Sequence, residues 1–310
     1  MDELSQSLDA FGPWDWACLG ANLTAAALGL FGLRCWRGMP GVLPPLPVSA
    51  SNAALGVVTG VMSFGLLVGL VTTAAAKALS TDFDFGQPHM FTAQFIGQSA
   101  AAVTLLAMGA LVPETLRWAP DVASDEPSTN PLRRALRAFS FSRLLLVMLI
   151  LFTLGMALAA LWKGLHVGWT QLFQHGLMGE PPADEPQDVV DSVLKTDVDT
   201  WRFGTIILVV SIGAPIMEEL AFRGMLYPGL RRLLADATER HSRWIAVALT
   251  GLIFSAVHGS ASAALPLFGF GAFMCLVRDR YGLLTCMAAH CCFNTWTLVW
   301  LKLAPNASNL

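Results

Sequence analysis

Apolar residues along this chain come in runs too long for a strand and too unbroken for the amphipathic helix of a soluble domain. Eight such runs stand out, at residues 14–33, 54–78, 91–112, 144–162, 203–226, 245–259, 263–277 and 281–301. A bilayer core takes roughly 20 apolar residues as a helix. The pattern therefore predicts an all-α fold, a polytopic transmembrane helix bundle with about eight membrane-spanning helices. The sixth and seventh runs are short and contain Gly or Pro, so their ends are the least defined.

The polar residues between the runs alternate in sign. Arg34 and Arg37 follow the first run, and Arg117, Arg133, Arg134, Arg137 and Arg143 lie between the third and fourth. Arg231, Arg232, Arg240 and Arg243 separate the fifth and sixth, and Arg278 and Arg280 follow the seventh. The intervening connections are acidic: Asp82 and Asp84, then Glu180, Asp184, Glu185, Asp188, Asp191, Asp197 and Asp199. Because basic loops stay in the cytoplasm, the arginine loops are expected there, with both chain ends outside. The first run follows acidic residues (Asp2, Glu3, Asp9) rather than a basic n-region, so it reads as a permanent helix.

Two connections read as extramembranous. Residues 119–130 form a Pro-, Ser- and Asp-rich cytoplasmic linker. Residues 163–201 are expected to form an outer surface loop, beginning with amphipathic material (Trp169, Leu172, Phe173) and ending in a short helix with Val189, Val190, Val193 and Leu194 on one face. The chain thus divides into an N-terminal three-helix membrane region with its linker (1–140), a membrane-embedded core (141–302) and a short tail (303–310).

Composition agrees with a multi-pass protein of the cell membrane, whose surroundings are the lipid bilayer. Hydrophobic residues make up 55% and charged residues 13% of the 310, against about 25% charged in a soluble domain. The net charge of −3 decides nothing by itself, and no nucleic acid partner is expected. The six cysteines lie in or beside apolar runs without CxxC spacing, which speaks against a disulfide framework or a four-thiolate zinc site. Tryptophans near the run ends read as interfacial anchors.

Candidate chemistry comes from what the apolar runs fail to exclude. Glu218 and Glu219 close the stretch 204–217 and are the acidic residues read as lying well inside a span. Ionisable groups in hydrocarbon are costly and face the bundle interior or a wet cavity. His258 and His290 are likewise embedded in apolar sequence, and Arg223 and Asn294 complete the polar set. Glu219 and Arg223 are four residues apart on one helix and can pair. Glu218 points about 100° away, free to face a cavity. His290 and Asn294 also share a helix face. Three helices each offer one polar face, and turning all three inward builds a pocket from Glu218, His258, His290 and Asn294, braced by Glu219–Arg223. Phe293 and Trp296 flank Asn294 and read first as packing, second as pocket lining.

A carboxylate in a low-dielectric site suits general-base work. Glu218, helped by His258, would draw a proton from water, while His290 and Asn294 would donate to the developing oxyanion. Alternatively Glu218, His258 and His290 would ligate zinc and leave a fourth position for water. Spacing alone does not separate the two.

Glu218-Glu219-Leu-Ala-Phe-Arg223, Phe254-Ser-Ala-Val-His258 and His290-Cys-Cys-Phe-Asn294 reproduce EExxxR, FxxxH and HxxxN in order. The set resembles the intramembrane endopeptidases that process CAAX prenyl proteins and their Abi (CPBP) relatives, over roughly residues 144–301. The resemblance implies an intramembrane protease acting on a membrane-anchored protein or peptide, with prenylation left open. By motif position, Glu218 and His258 would activate water, and His290 and Asn294 would hold the oxyanion. It favours the metal-free glutamate mechanism, so no cofactor is expected, with zinc as the second option. Signatures of other intramembrane proteases are missing: there is no HExxH, and neither GxSxG nor GxGD is complete. The rivals are a proton-coupled transporter, for which the internal repeats expected of it are not found, and a non-catalytic scaffold or immunity protein.

Overall fold

The computed structural model describes residues 11–37, 49–79, 89–111, 136, 139–180, 200–235 and 241–304. Among them the chain forms eight helices and no strand. They are α1 (Pro13–Arg37), α2 (Ala50–Ala78), α3 (Met90–Leu111), α4 (Phe141–Gln174), α5 (residues 200–235), α6 (Ser242–Val257), α7 (Ala264–Tyr281) and α8 (Leu283–Leu303). Five of them, α1 to α5, are long and apolar enough to cross a membrane. α6 has only 16 residues. α7 ends in Arg278-Asp279-Arg280, and α8 carries His290, Asn294 and three threonines. α6 and α8, which fall short of that test, bring His258, His290 and Asn294, while Glu218, Glu219 and Arg223 lie on α5, which meets it.

α5 is the axis of the bundle. Its most apolar window is 56% buried, against 17–39% for the other four spanning helices. α2 and α3 pack on one side of it, and α6, α7 and α8 on the other. α1 packs along α4, where Thr153 Oγ1 donates to the Ala26 carbonyl at 2.8 Å. A cluster of buried Leu, Ile, Met and Phe from α3, α4, α5, α6, α7 and α8 forms the main core. Phe222 of α5 joins Phe64 of α2 to Phe254 of α6 through edge-on ring contacts at 5.1 Å each.

Small residues let these helices meet backbone to backbone, which is how packing replaces the hydrophobic effect inside a bilayer. A Cβ at Gly271 of α7 would stand 3.0 Å from Gly251 Cα of α6. This contact brings the Gly271 carbonyl within reach of α5.

Two expectations change. α4 does not end near residue 162; it continues to Gln174, and the material around Trp169, Leu172 and Phe173 is its last turns. At 34 residues it is about 51 Å long, well beyond the roughly 30 Å of a bilayer core. It stops where Gly176 takes φ 69° and Leu177 N–H reaches back to the Leu172 carbonyl, a left-handed helix end. Arg278 and Arg280 do not follow the seventh helix but form its last turn, with Asp279 between them. The linker 119–130 and the segment around Val189, Val190, Val193 and Leu194 lie outside the described residues.

Candidate active site

α5 is not a uniform α-helix. Residues Ile207–Gly213 and Leu220–Leu226 are π-helical, and between them lies one short α segment, Ala214–Glu219, which carries both glutamates. Wide turns of this kind cluster at functional sites because they re-aim side chains. Adjacent on this α segment, Glu218 and Glu219 point about 100° apart and face different surroundings.

Glu219 points into protein and is fully buried. Its Oε1 accepts from Arg223 NH1 at 3.0 Å and from His290 Nδ1 at 2.8 Å. Arg223, also fully buried, gives its NH2 to the Gly271 carbonyl at 3.0 Å and lies 4.8 Å from the centre of the Phe254 ring. The sequence foresaw the Glu219–Arg223 brace. The grip of Glu219 on His290 is an addition, made across 71 residues of chain.

Glu218 points into a cavity of about 370 Å³. Its Oε2 lies 3.8 Å from His290 Nε2 and 4.0 Å from His258 Nε2, with no hydrogen-bond partner of its own. The cavity brings together all four residues expected of the site: Glu218, His258, His290 and Asn294. Its remaining wall is mostly apolar, with Leu151 and Gly155 of α4, Phe270 of α7, and Phe293 and Leu301 of α8. Phe293 is thus lining. Trp296 instead donates to Asn22 Oδ1 of α1 at 3.0 Å.

The hydrogen bonds on the far side of each imidazole decide what its Nε2 offers. His258 ends α6 as its C-cap, and its Nδ1 lies 2.6 Å from the Phe254 carbonyl, one of the oxygens left unpaired at a helix end. A carbonyl only accepts, so Nδ1 carries the proton and the neutral ring turns a lone pair on Nε2 toward Glu218. Gly259, at φ 63°, lets the chain leave the helix directly after this histidine. The same reasoning holds for His290, whose Nδ1 faces the Glu219 carboxylate. With both rings neutral, three acceptor atoms converge on one point. Such an arrangement suits a small molecule bearing O–H donors, and water is the smallest.

Asn294 lies at the same cavity, but its Nδ2 donates to the Val210 carbonyl in the first π-helical stretch at 2.8 Å. One of its two N–H bonds is thereby fixed and the other is left for a ligand. His290 can donate from Nε2 only when its ring holds a second proton. Both conditions bear on the expected oxyanion role.

The donor types of Glu218, His258 and His290 suit zinc, and their atoms stand somewhat further apart than the ligands of a closed zinc site. Ligand atoms of a tetrahedral zinc site with bonds of about 2.0–2.1 Å stand roughly 3.3–3.4 Å apart, closer than the 3.8 and 4.0 Å between the Glu218 oxygen and the two nitrogens. Among the described residues no group of three or more His, Cys, Asp or Glu is placed to hold a metal ion.

Sequence reasoning missed Asp279. It is 1% exposed and accepts from Tyr227 Oη at 2.7 Å, Arg243 Nε at 3.1 Å and Arg231 NH1 at 3.4 Å, with Arg278 NH1 at 3.6 Å. Placed beside a span end among arginines, it reads in sequence as a loop charge. Its one signal was that it stands alone between two arginines, Arg278 and Arg280.

Comparison with known proteins narrows the reading. No curated protein and no solved structure matches the chain. Residues 200–296 match a family model, Type II CAAX prenyl endopeptidase Rce1-like, so the stretch from α5 into α8 that holds Glu218, His258, His290 and Asn294 is the part of the chain that carries this family's pattern.

Proposed function

We propose that this protein is an intramembrane endopeptidase of the cell membrane that hydrolyses a peptide bond of a membrane-anchored protein by metal-free, glutamate-activated water. The family match supports endopeptidase activity of the CAAX type and, with it, a membrane-anchored substrate. Five apolar helices support an integral membrane protein. One observation carries the mechanism: the unpartnered Glu218 Oε2 faces two imidazole Nε2 atoms within 4.0 Å inside a mostly apolar cavity.

In this reading a water molecule donates to Glu218 and to His258. Its oxygen bonds to the substrate carbonyl carbon as its proton passes to Glu218. The carbonyl oxygen takes the charge and is met by the second N–H of Asn294 and by His290 in its doubly protonated form. Glu218 then returns the proton to the leaving nitrogen as the C–N bond breaks, giving a carboxylic acid and an amine. Glu219 and Arg223 hold His290 in position. The core 141–302 is proposed as the catalytic unit, with α1 to α3 packed against it.

Cleavage of a membrane-anchored peptide library in detergent tests the reading, with wild type, Glu218→Gln and His258→Ala compared with and without a strong zinc chelator. Activity lost in both variants and kept under chelation is expected. Loss on chelation, restored by zinc, would transfer the same pocket to a metal mechanism. Activity retained in Glu218→Gln would remove the glutamate from the chemistry.

A further inference from the structure

The Val210 carbonyl that holds Asn294 is free to do so because of a residue further along α5. In a π-helix each carbonyl accepts from the N–H five residues ahead. That register runs to the end of the first wide stretch, where the Ala214 N–H bonds to the Val209 carbonyl. The next carbonyl is that of Val210, and the residue due to serve it is Pro215, which has no N–H to give. The α register offers nothing better, since its donor for Val210 is Ala214, already bonded to Val209. An unpaired carbonyl is costly inside a bilayer. The donor that meets this one is the Asn294 amide of α8, at 2.8 Å.

Pro215 is buried near the start of the short α segment that carries the glutamates. Its ring crowds the carbonyl four residues back, that of Ser211, which opposes an α turn here. α3 holds the same stretch from the other side. A Cβ at Gly213 would stand 2.5 Å from Gln98 Oε1 and 3.1 Å from the Phe95 ring, and Phe91 clusters with Ile206 and Val209. The wide backbone is therefore fixed by its neighbours as well as by the proline. What the proline alone supplies is the missing N–H. A carbonyl only accepts, so the freed Val210 oxygen selects the Nδ2 end of the Asn294 amide over the Oδ1 end.

We propose that Pro215 is a positioning residue: by withholding a backbone donor from Val210 it docks the Asn294 amide, and so keeps the second Asn294 N–H for the cavity shared with Glu218 and His290. The catalytic consequence, a fixed donor for the oxyanion, rests on the protease reading; the docking itself does not. Pro215 does not line the cavity. It acts through Val210 and Asn294, and an N–H at position 215 would compete with Asn294 for the one carbonyl and release the amide to turn.

Pro215→Ala and Pro215→Gly both restore the N–H, one with a strong helix former and one with a weak one. In both, kcat for cleavage of an anchored peptide is expected to fall roughly 10–100-fold while KM holds, although Pro215→Ala should be the more stable of the two in detergent. In an Asn294→Ala background either change should cost less than about two-fold more, because the group it acts through is gone. Activity that follows stability across the two variants, or losses that multiply in the double variants, would overturn the proposal. Nitrogen-15 NMR of the Asn294 side-chain amide, identified by its loss in Asn294→Ala, reads the docking without activity. Both Pro215 variants should shift that signal and Ile212→Ala, at an exposed position of the same stretch, should leave it in place. A signal unmoved by restoring the N–H would overturn the proposal. A wild type that cleaves no anchored peptide would sink the protease reading, and a shifted signal would then leave the docking standing.

Discussion

Two buried carboxylates, Asp279 at the last turn of α7 and Glu218 in the middle of α5, are treated in opposite ways. Asp279 is surrounded by a phenol and three guanidinium groups. Glu218 is nearly as buried, yet its Oε2 has no partner and looks at two nitrogen lone pairs across a cavity. Desolvation costs both groups several kcal/mol. At Asp279 that cost is offset locally by ion pairs and a hydrogen bond; at Glu218 it is left standing. A buried charge with complete company holds helices together, whereas one kept incomplete is poised to bind or react.

The contrast breaks most sharply at Glu218. Replacement by Gln keeps the shape and removes the base, so peptide cleavage is expected to fall by about 10²–10⁴-fold or more, while thermal stability in detergent stays the same or rises. Asp279→Ala should do the reverse. It strands Arg231, Arg243 and Arg278 and should cost about 3–5 kcal/mol of stability, read as a lower denaturation midpoint, with kcat per folded molecule little changed. A fall in kcat without loss of stability would contradict this division of labour.

Glu219 joins the two behaviours and should show both. Glu219→Gln weakens the hold on Arg223 and His290 together, so about 1.5–3 kcal/mol of stability and roughly 10–100-fold in kcat should be lost, the latter the scale of an orienting partner removed. Gly155→Leu makes the smallest change. A Cβ at Gly155 meets nothing within 4 Å and enters the apolar side of the cavity. KM should rise several-fold for substrates with bulky apolar groups, kcat should hold, and stability should gain up to about 1 kcal/mol from the better helix former. An unchanged KM across substrates would show that substrate does not use that side of the cavity.

The site was legible in sequence because hydrocarbon is an unforgiving background: Glu218, His258 and His290 stand out where almost every neighbour is apolar. The bonds that set their chemistry were not. His290 meets Glu219 across 71 residues and Asn294 meets Val210 across 84, and no local pattern encodes which helix faces which. Asp279 was hidden by its place beside a span end, where charges are ordinary. The extension of α4 was hidden because Lys163 looks like an exit from the membrane, although the helical pattern continues past it. The helix count came through because each run of apolar residues is separated from the next by polar sequence.

The π-helical stretches on either side of Glu218 and Glu219 imply that spacing, as well as residue identity, guards this site. Each wide turn holds about one residue more than an α turn. Removing one residue from Ile207–Gly213 would let the turn close to α geometry and displace the Val210 carbonyl that anchors Asn294 relative to Glu218. Ile212 is 42% exposed and packs little: its replacement by Ala should be silent, while its deletion should abolish cleavage with every motif residue still in place. In this helix a missing letter can do what a wrong letter does not, so variation in chain length deserves the scrutiny usually given to substitutions.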